Sequence, residues 1–392
     1  VTLSDPFPVS LYPYGLLQPI GNSLGLATDL GQAAFAQYLN RPLPYSHQFS
    51  FGVQRELPGG WLVEASYVGN LTKKLPVFLD LNFIPANVLN SIPVADRPAY
   101  FSAEVPNPMA GLLPGSGLNG ATVPRQQLLF AYPQYAGVGI SDVPIGSQRY
   151  DSLQVQATRR FSKGLAASVA YTISKTLEQV SLLNAQDVNL GDLTKTKLEK
   201  RLAEYDVPRK LAVVTSYELP FGRGKHIGNG MNKTFNGVAG GWNLNVQWVY
   251  QSGFPFSFPN AAPLAARSAK LNSSERDKRS ESGKFDPSVD KWFDTSLFPN
   301  TERDSFTLRD FPTRFPDVRG PNLNTWEISA FKQFVLKERI RFQVRADFQN
   351  AFNFPFFARL QTNDVTDLRF GQLRADITNE ARRIVAVLKI IF

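Results

Sequence analysis

The last ten residues, Arg383 to Phe392, constrain the fold more than any other stretch of the chain. In an extended chain, side chains alternate between two faces. Arg383 and Lys389 therefore share one face, and the opposite face is wholly apolar, with Ile384, Ala386, Leu388, Ile390 and Phe392. Such a strand is a poor free edge for a soluble sheet, because an exposed apolar edge promotes aggregation. The sequence therefore predicts a closed sheet, as in a barrel.

Composition restricts the class of protein. Among 392 residues there are 30 Phe and 13 Tyr, charged residues make up 19%, and no apolar run approaches the roughly 20 residues of a membrane helix. This excludes a helical membrane protein. The absence of Cys excludes disulfides, thiolate chemistry and cysteine metal sites. Residues 1–16 show no signal-peptide pattern, so we expect a processed chain or a fragment.

Strand-like alternation recurs along the chain and predicts an all-β protein with about nine antiparallel strands. The strands are expected near residues 45–57, 61–70, 150–161, 164–175, 207–219, 241–252, 323–335, 339–352 and 383–392. Residues 1–44 are rich in Pro and Gly and are expected to form a loop region, with a short helix over residues 30–39 as an option. Residues 45–392 are expected to form the strand-bearing part.

The connections between these strands alternate strictly between short and long. Most turns within hairpins are short, whereas residues 71–149, 175–206, 253–323 and 353–382 are long and polar. Transmembrane barrels have this asymmetry, with short periplasmic turns and long extracellular loops. The pattern therefore predicts a transmembrane β-barrel whose four long loops lie outside the cell.

The two faces of the strands carry different chemistry. Polar side chains are expensive in lipid but are well solvated in a wet lumen. The predicted lumen-facing residues are Asn243, Asn245, Gln247, Arg341, Gln343, Arg345, Asp347 and Gln349. Aromatic side chains near strand ends suit a membrane interface. The predicted interface residues are Tyr45, Trp61, Tyr67, Tyr171, Tyr217, Trp242, Trp248, Tyr250 and Trp326. The alternative is a soluble β-sandwich or propeller, which would bury the aromatic face.

Several segments resemble the barrel of TonB-dependent outer-membrane receptors, in the Oar-like subgroup with a carboxypeptidase-regulatory-like N-terminal domain. The segments are PYSHQFSFGVQRELPGGWLVEASYV (residues 44–68), TVPRQQLL (122–129), YDSLQVQATRRFSKGLAASVAYTISK (150–175), ELPFGRGK (218–225), WFDTSLF (292–298) and residues 339–352. They occur in the order found in that subgroup and together span nearly the whole chain.

This resemblance implies a location in the bacterial outer membrane and a 22-stranded barrel, of which this chain holds the last nine strands. The terminal strand, ending on Phe392, resembles the strand that the barrel assembly machinery reads. No segment resembles the plug domain or the TonB box, so contact with TonB is expected through a missing N-terminal part. Expected partners are outer-membrane lipids, lipopolysaccharide and an unidentified extracellular ligand.

Candidate chemistry is sparse, and the sequence predicts no enzyme and no cofactor. The only histidines, His47 and His226, are expected at ordinary surface or rim positions. Asp286, Asp290 and Asp294 are spaced four residues apart and offer oxygen ligands for calcium, but the EF-hand pattern is absent. They are weak candidates in a chain for which no metal site is otherwise expected.

Basic runs at residues 195–201 and 267–284 are expected to be solvated loops, with contacts to acidic ligands or lipopolysaccharide phosphates as a second option. The net charge of +9 does not indicate nucleic-acid binding, because the cations are scattered and no stacking platform accompanies them.

Two functions are expected. The first is energy-coupled uptake of an unidentified ligand through a TonB-dependent barrel. The alternative is a structural or adhesive barrel whose loops bind a partner without transport. A barrel-embedded hydrolase is less favoured, because the sequence offers no paired Ser and His.

Overall fold

A computed structural model of the chain describes residues 4–5, 8, 25–184, 198–258, 261, 268–301, 303–309, 311–337, 340–357, 359–374 and 379–392. Nine strands form one antiparallel sheet in the order β15-β14-β13-β10-β9-β7-β6-β3-β2. Their bounds are β2 Tyr45–Leu57, β3 Trp61–Asp80, β6 Gly137–Ser162, β7 Leu165–Gln179, β9 Arg209–Glu218, β10 Trp242–Gln251, β13 Leu323–Lys337, β14 Ile340–Gln349 and β15 Arg383–Ile391. Each overlaps one of the nine predicted ranges.

Shorter elements complete the chain. β1 (Ala33–Gln37) pairs with β6, β8 (Arg201–Leu202) pairs with β7, β4 (Glu104–Pro106) pairs with β5 (Thr122–Pro124), and β11 (Pro255–Ser257) pairs with β12 (Arg314–Arg319). The helices are α1 Ala86–Asn90, α2 Arg97–Ser102, α3 Arg125–Leu129, α4 Lys233–Ala239 and α5 Ser273–Arg279. Within the described residues, no helix is both apolar enough and long enough to span a membrane.

Strand register keeps two chemically different faces separate across the sheet. Asn245 lies opposite Ser329, and Ser329 lies opposite Asp347. On the other side, Val246 lies opposite Ile328, which lies opposite Phe348. We call the first side the polar face and the second the aromatic face. A slip of one residue on any strand would exchange its faces, so this pattern fixes the register.

Three strands are longer than the sequence predicts. β3 continues to Asp80, β6 begins at Gly137 rather than near residue 150, and β7 continues to Gln179. The added part of β3 and β6 contains register shifts between Lys73 and Leu79. Gly and Pro in these stretches obscure the alternation, but bulges accommodate them within a continuous ladder.

The option of a short helix over residues 30–39 is wrong. Residues 33–37 form β1, which pairs in parallel with the outer extension of β6, with Ala33 opposite Gly137 and Gln37 opposite Ser141. An isolated helix of ten residues is marginal in water, whereas the free edge of β6 supplies hydrogen-bond partners for a strand.

The short connections lie at one end of the strands and the long connections at the other. Gly59 and Gly60 make the β2–β3 turn with φ values of 85° and 76°, a region that glycine adopts without strain. The β9–β10 connection, residues 219–241, is longer than the other connections at this end and contains α4. We call this end the short-turn end and the opposite end the long-loop end.

The hydrophobic cores lie in the long loops rather than in the wall. One core joins Phe258, Phe293 and Phe298 of the β10–β13 connection to Phe370 and Leu373 of the β14–β15 connection. A second core joins Ile84, Leu89 and Phe101 of the β3–β6 connection to Phe306. The loops therefore form a packed cap over the long-loop end.

We expect Phe258→Ala to loosen this cap. Phe258 is fully buried, and its ring lies 5.4–6.0 Å from the rings of Phe293, Phe298, Phe315 and Phe370. Truncating a buried Phe costs about 3–5 kcal/mol. Hydrogen exchange should accelerate in residues 255–258 and 292–298 while β9 and β10 stay protected. Leu368→Ala is the control because Leu368 is 89% exposed, and equal acceleration in both variants would contradict the expectation.

Candidate functional site

The polar face of the sheet holds two hollows. A hollow of about 540 Å³ lies at its long-loop end. Nearly all its lining residues belong to the polar face, and Tyr205 and Val207 of the β7–β9 connection cover it. The polar-face lining residues are Asn70, Thr72, Gln148, Tyr150, Gln154, Thr172, Ser174, Thr176, Lys210 and Gln251. Amides and hydroxyls both donate and accept hydrogen bonds, so this hollow suits a polar ligand.

The predicted lumen residues lie together on the polar face. On β14, Arg341, Gln343, Arg345, Asp347 and Gln349 alternate along one side. On β10, Asn243, Asn245 and Gln247 lie on the same side of the sheet. A second hollow of about 640 Å³ includes Asn245, Gln247, Arg345, Asp347 and Gln349 among its lining residues. The Arg345 guanidinium donates to Asp347 at 2.6 Å, so this pair is neutralised locally.

Buried ion pairs connect the long loops to the wall. The guanidinium of Arg201 binds Glu178 and Glu199, each at 2.8 Å, and Glu199 also accepts from Thr313 of the β10–β13 connection. Arg319 donates to Asp206 at 2.6 Å. The side chains of Glu199 and Asp206 are each 1% exposed. Because an unpaired buried charge is expensive, these pairs fix the loops relative to one another.

All nine predicted interface residues lie on the aromatic face, in two groups. Trp61, Tyr217 and Trp242 lie towards the short-turn end, while Tyr45, Tyr67, Tyr171, Trp248, Tyr250 and Trp326 lie towards the long-loop end. The rings of Trp248 and Trp326 stack with centroids 4.7 Å apart. Both indole N–H groups donate to the side-chain oxygen of Asn324, at 2.8 and 3.1 Å.

The terminal strand residues extend the aromatic face to the edge of the sheet. Ile384, Ala386, Leu388 and Ile390 lie opposite Phe348, Ala346, Val344 and Phe342. Ile384, Leu388 and Ile390 are 57–64% exposed, and Phe392, which follows β15, is 97% exposed. Among the described strands, β15 pairs only with β14 and β2 pairs only with β3, so the described wall has two edges.

The structure does not gather Asp286, Asp290 and Asp294 into a metal site. The Asp286 carboxylate accepts from Ser288, and that of Asp290 accepts from the backbone N–H of Asp286. Arg279 donates to both carboxylate oxygens of Asp294 at 2.9 and 3.3 Å and lowers the pKa of that carboxyl to about 2. Among the described residues, no group of three or more His, Cys, Asp or Glu side chains has metal-binding geometry.

The other singled-out residues occupy the surface or a rim. The imidazole of His47 lies on the aromatic face, with its centroid 5.2 Å from the ring of Tyr45, and His226 lies in the β9–β10 connection. In the basic run at 267–284, residues 273–279 form the exposed helix α5, and residue 267 lies outside the described residues. Of the run at 195–201, residues 195–197 also lie outside them.

Sequence reasoning missed Lys332, a cation on the aromatic face. It lies opposite Trp242 near the short-turn end and is 5% exposed. Its ammonium donates to the backbone oxygens of Asn236 and Gly237 in α4 at 3.2 and 2.6 Å. The indole of Trp242 donates to the oxygen of Val238. The sequence does show a lysine at an apolar position of a strand. Only the fold shows that α4 compensates the charge of this lysine by accepting its hydrogen bonds.

We expect the loop around Asp294 to loosen only in strong acid. The pKa of this carboxyl in the folded protein, about 2, lies below the value of about 3.9 expected in an unfolded chain. Its contribution to stability is therefore complete above about pH 4 and is lost as the pH falls through about 2. A pulse of pepsin, which cleaves in acid, should cut residues 268–301 only near the lower pH.

Arg279→Gln should move the onset of this cleavage towards pH 4, since the depressed pKa depends first on the hydrogen bonds from Arg279. The control is Lys278→Gln. It removes a neighbouring charge that forms no described ion pair with Asp294. An unchanged onset in Arg279→Gln would contradict this account.

Structural comparison finds similarity to outer-membrane transporters. The chain is 9% identical to the outer-membrane transporter YddB from Escherichia coli, with a TM-score of 0.40, and the match covers 92% of this chain and 34% of that one. The chain is 9% identical to the ferric-catecholate import receptor Fiu from E. coli K12, with a TM-score of 0.35, and the match covers 89% of this chain and 27% of that one. It is 10% identical to the FrpB iron transporter from Neisseria meningitidis, with a TM-score of 0.35, and that match covers 91% of this chain and 32% of the transporter. The chain thus spans about a third of the length of these proteins or less.

None of the curated proteins matches the sequence of this chain. The family model described as the outer membrane beta-barrel domain matches residues 1–385. With its alternating faces and antiparallel ladder, the chain therefore belongs to the outer-membrane β-barrel domain family, and its sheet is part of a transmembrane barrel in a bacterial outer membrane.

Proposed function

We propose that this chain supplies wall strands and extracellular loops to a TonB-dependent receptor of the Oar-like subgroup, which takes up a ligand across the outer membrane. The single observation that carries this proposal is the polar face with its hollow at the long-loop end, which Tyr205 and Val207 also line. Polar side chains without partners are costly in lipid, whereas a hydrated lumen satisfies them. In this proposal the polar face lines the lumen, and the aromatic face contacts lipid.

The two edges of the described wall support a larger barrel. Strands β2 and β15 each have one edge without a partner among the described strands, and closure removes such edges. We propose that these nine strands are the last nine of twenty-two. A plug domain and a TonB box would then belong to the part of the receptor outside this chain. The exposed strand β15, with Phe392 after it, would be the segment read by the barrel assembly machinery.

The lining of the outer hollow suggests the chemistry of the ligand. Its side chains are mainly amides and hydroxyls, and Lys210 is the one cation among the lining residues. Tyr205, in the covering loop, lines the hollow together with Gln148 of the wall. A ligand rich in hydroxyl or amide groups matches this lining better than a strongly charged or apolar one.

The alternative function is a structural or adhesive barrel whose loops bind a partner without transport. The observation that favours it is the packed loop cap, because the two loop cores and the buried ion pairs give the outer surface a fixed shape. A fixed surface suits recognition of a macromolecule. The two functions differ in whether TonB is needed.

Cysteine labelling tests the proposed sidedness, and the chain offers a clean background because it contains no Cys. Gln247 lies on the polar face and Val246 on the aromatic face at the same depth of β10. In the receptor within outer membranes, Gln247→Cys should react with a water-soluble charged thiol reagent. Val246→Cys should react only with an apolar maleimide. The reverse pattern would overturn the assignment of lumen and lipid faces.

Binding to TonB tests transport. The full-length protein should bind the purified periplasmic domain of TonB, and its removal of an added ligand mixture from the medium should require an energised inner membrane. Deleting the segment that precedes the barrel should abolish both effects while leaving loop epitopes on the cell surface. Full ligand accumulation without TonB would contradict transport of this kind and favour the adhesive alternative.

A further inference from the structure

We propose that the outer rim of the aromatic face carries a binding site for the phosphorylated headgroup of lipopolysaccharide. The site is a cavity of about 410 Å³ on the aromatic face of β9 and β10, beneath the loop that joins β10 to β13. We call it the rim cavity. This inference rests on the proposed sidedness, in which the aromatic face contacts lipid, but it does not depend on transport.

Strand register locates the rim cavity on the membrane side. Arg209 and Tyr250 line it, and both lie on the aromatic face at the long-loop end of their strands. Asn322 also lines it and donates to the hydroxyl of Tyr250 at 2.9 Å. The loop contributes Lys270, Arg276 and Trp292. The loop therefore overhangs the aromatic girdle at the level where lipid headgroups begin.

The rim cavity has an excess of positive charge. Its described lining residues include Arg209, Lys270, Arg276 and Arg319, against a single acid, Asp317. Arg319 is already paired with Asp206. Within the described part of the chain, Arg209, Lys270 and Arg276 form no salt bridge, so three cations remain available to an anion. Phosphate oxygens are well suited to this set, because guanidinium groups bind them in a bidentate manner.

An aromatic platform holds one of these cations in place. The guanidinium carbon of Arg276 lies 3.8 Å from the centroid of the Trp292 ring, and the indole of Trp292 donates to the backbone oxygen of Arg319 at 2.6 Å. Partial burial lowers the pKa of Arg276, which still leaves it charged at neutral pH. A bound anion would recover the solvation that this cation has lost.

The surface beside the rim cavity matches an anion that carries acyl chains. Lys175 lies opposite Asp151, whose carboxylate already accepts from Arg149 at 2.7 and 3.1 Å, so Lys175 adds one net positive charge along the rim. Directly below it, Leu153 and Ile173 lie opposite each other and are 45% and 46% exposed. Cations above an apolar strip suit a molecule with phosphate at one end and hydrocarbon at the other.

Lipopolysaccharide fits this arrangement better than an ordinary phospholipid or free phosphate. Its lipid A portion presents phosphates on a sugar scaffold, which extends further from the hydrocarbon than a single headgroup phosphate does. The rim cavity has a volume typical of small-ligand pockets, and the long-loop end faces the outer leaflet in the proposed orientation. Free phosphate has no hydrocarbon with which to contact Leu153 and Ile173.

Native mass spectrometry of the full-length protein in mild detergent tests the site. The probes are bisphosphorylated lipid A, dephosphorylated lipid A and phosphatidylglycerol. The double variant Arg209→Gln, Lys270→Gln should bind bisphosphorylated lipid A roughly 25-fold more weakly, since each cation near an anionic lipid surface contributes about fivefold. The wild-type protein should prefer bisphosphorylated lipid A to both other probes.

The matched control is Lys278→Gln, Lys284→Gln, which removes two charges from the same loop at positions that do not line the rim cavity. It should bind lipid A as the wild-type protein does. Retained migration as a folded band without boiling checks that each variant keeps its barrel. Lys270→Glu alone, at an exposed side chain, provides a second test and should also weaken binding.

Equal losses in the double variant and its control would overturn the site, as would equal binding of phosphatidylglycerol and lipid A by the wild-type protein. If lipid A binding fails while Gln247→Cys remains water-accessible and Val246→Cys does not, only this inference falls. If the cysteine pattern itself reverses, the proposed orientation falls with it.

Discussion

The separation of two faces by strand register is the constraint on which the rest of the structure depends. Along the nine-stranded path, polar residues concentrate on one face and apolar residues on the other, as the runs Asn245–Ser329–Asp347 and Val246–Ile328–Phe348 illustrate. Because side chains alternate, a shift of one residue would exchange the two faces along an entire strand. The polar face and the aromatic face are two consequences of this single pairing pattern.

Charged residues on the aromatic face occur where the structure can solvate or neutralise them. Lys332, near the short-turn end, is covered by α4 and donates to two of its backbone oxygens. Arg149, Lys175 and Arg209 lie at the opposite end, beside the loops. This distribution follows the depth dependence of charge in membranes, in which cations are tolerated at the interfaces and are costly at the midplane. Arg159 also lies on this face towards the short-turn end, so cations occupy both rims of the aromatic face.

The long loops are structured units rather than passive connections. Their cores join residues distant in sequence, such as Phe258 and Phe370, and buried pairs such as Arg319 with Asp206 connect them to one another and to the wall. The packed cap lies beside the polar hollow and also holds Lys270, Arg276 and Trp292 at the outer rim of the aromatic face. One loop, between β10 and β13, thus contributes to the cap and to the rim cavity.

The strands, their pairing into hairpins and the composition of each face follow from local sequence, because alternation with a period of two is visible within a single segment such as β10. The nine aromatic residues that the sequence assigns to a membrane interface share one face of the sheet. What the loops do depends instead on the fold. The outer extensions of β3 and β6, β1 in place of a helix, the dispersal of Asp286, Asp290 and Asp294, and the rim cavity arise from contacts between segments far apart in sequence, and no local pattern encodes such contacts.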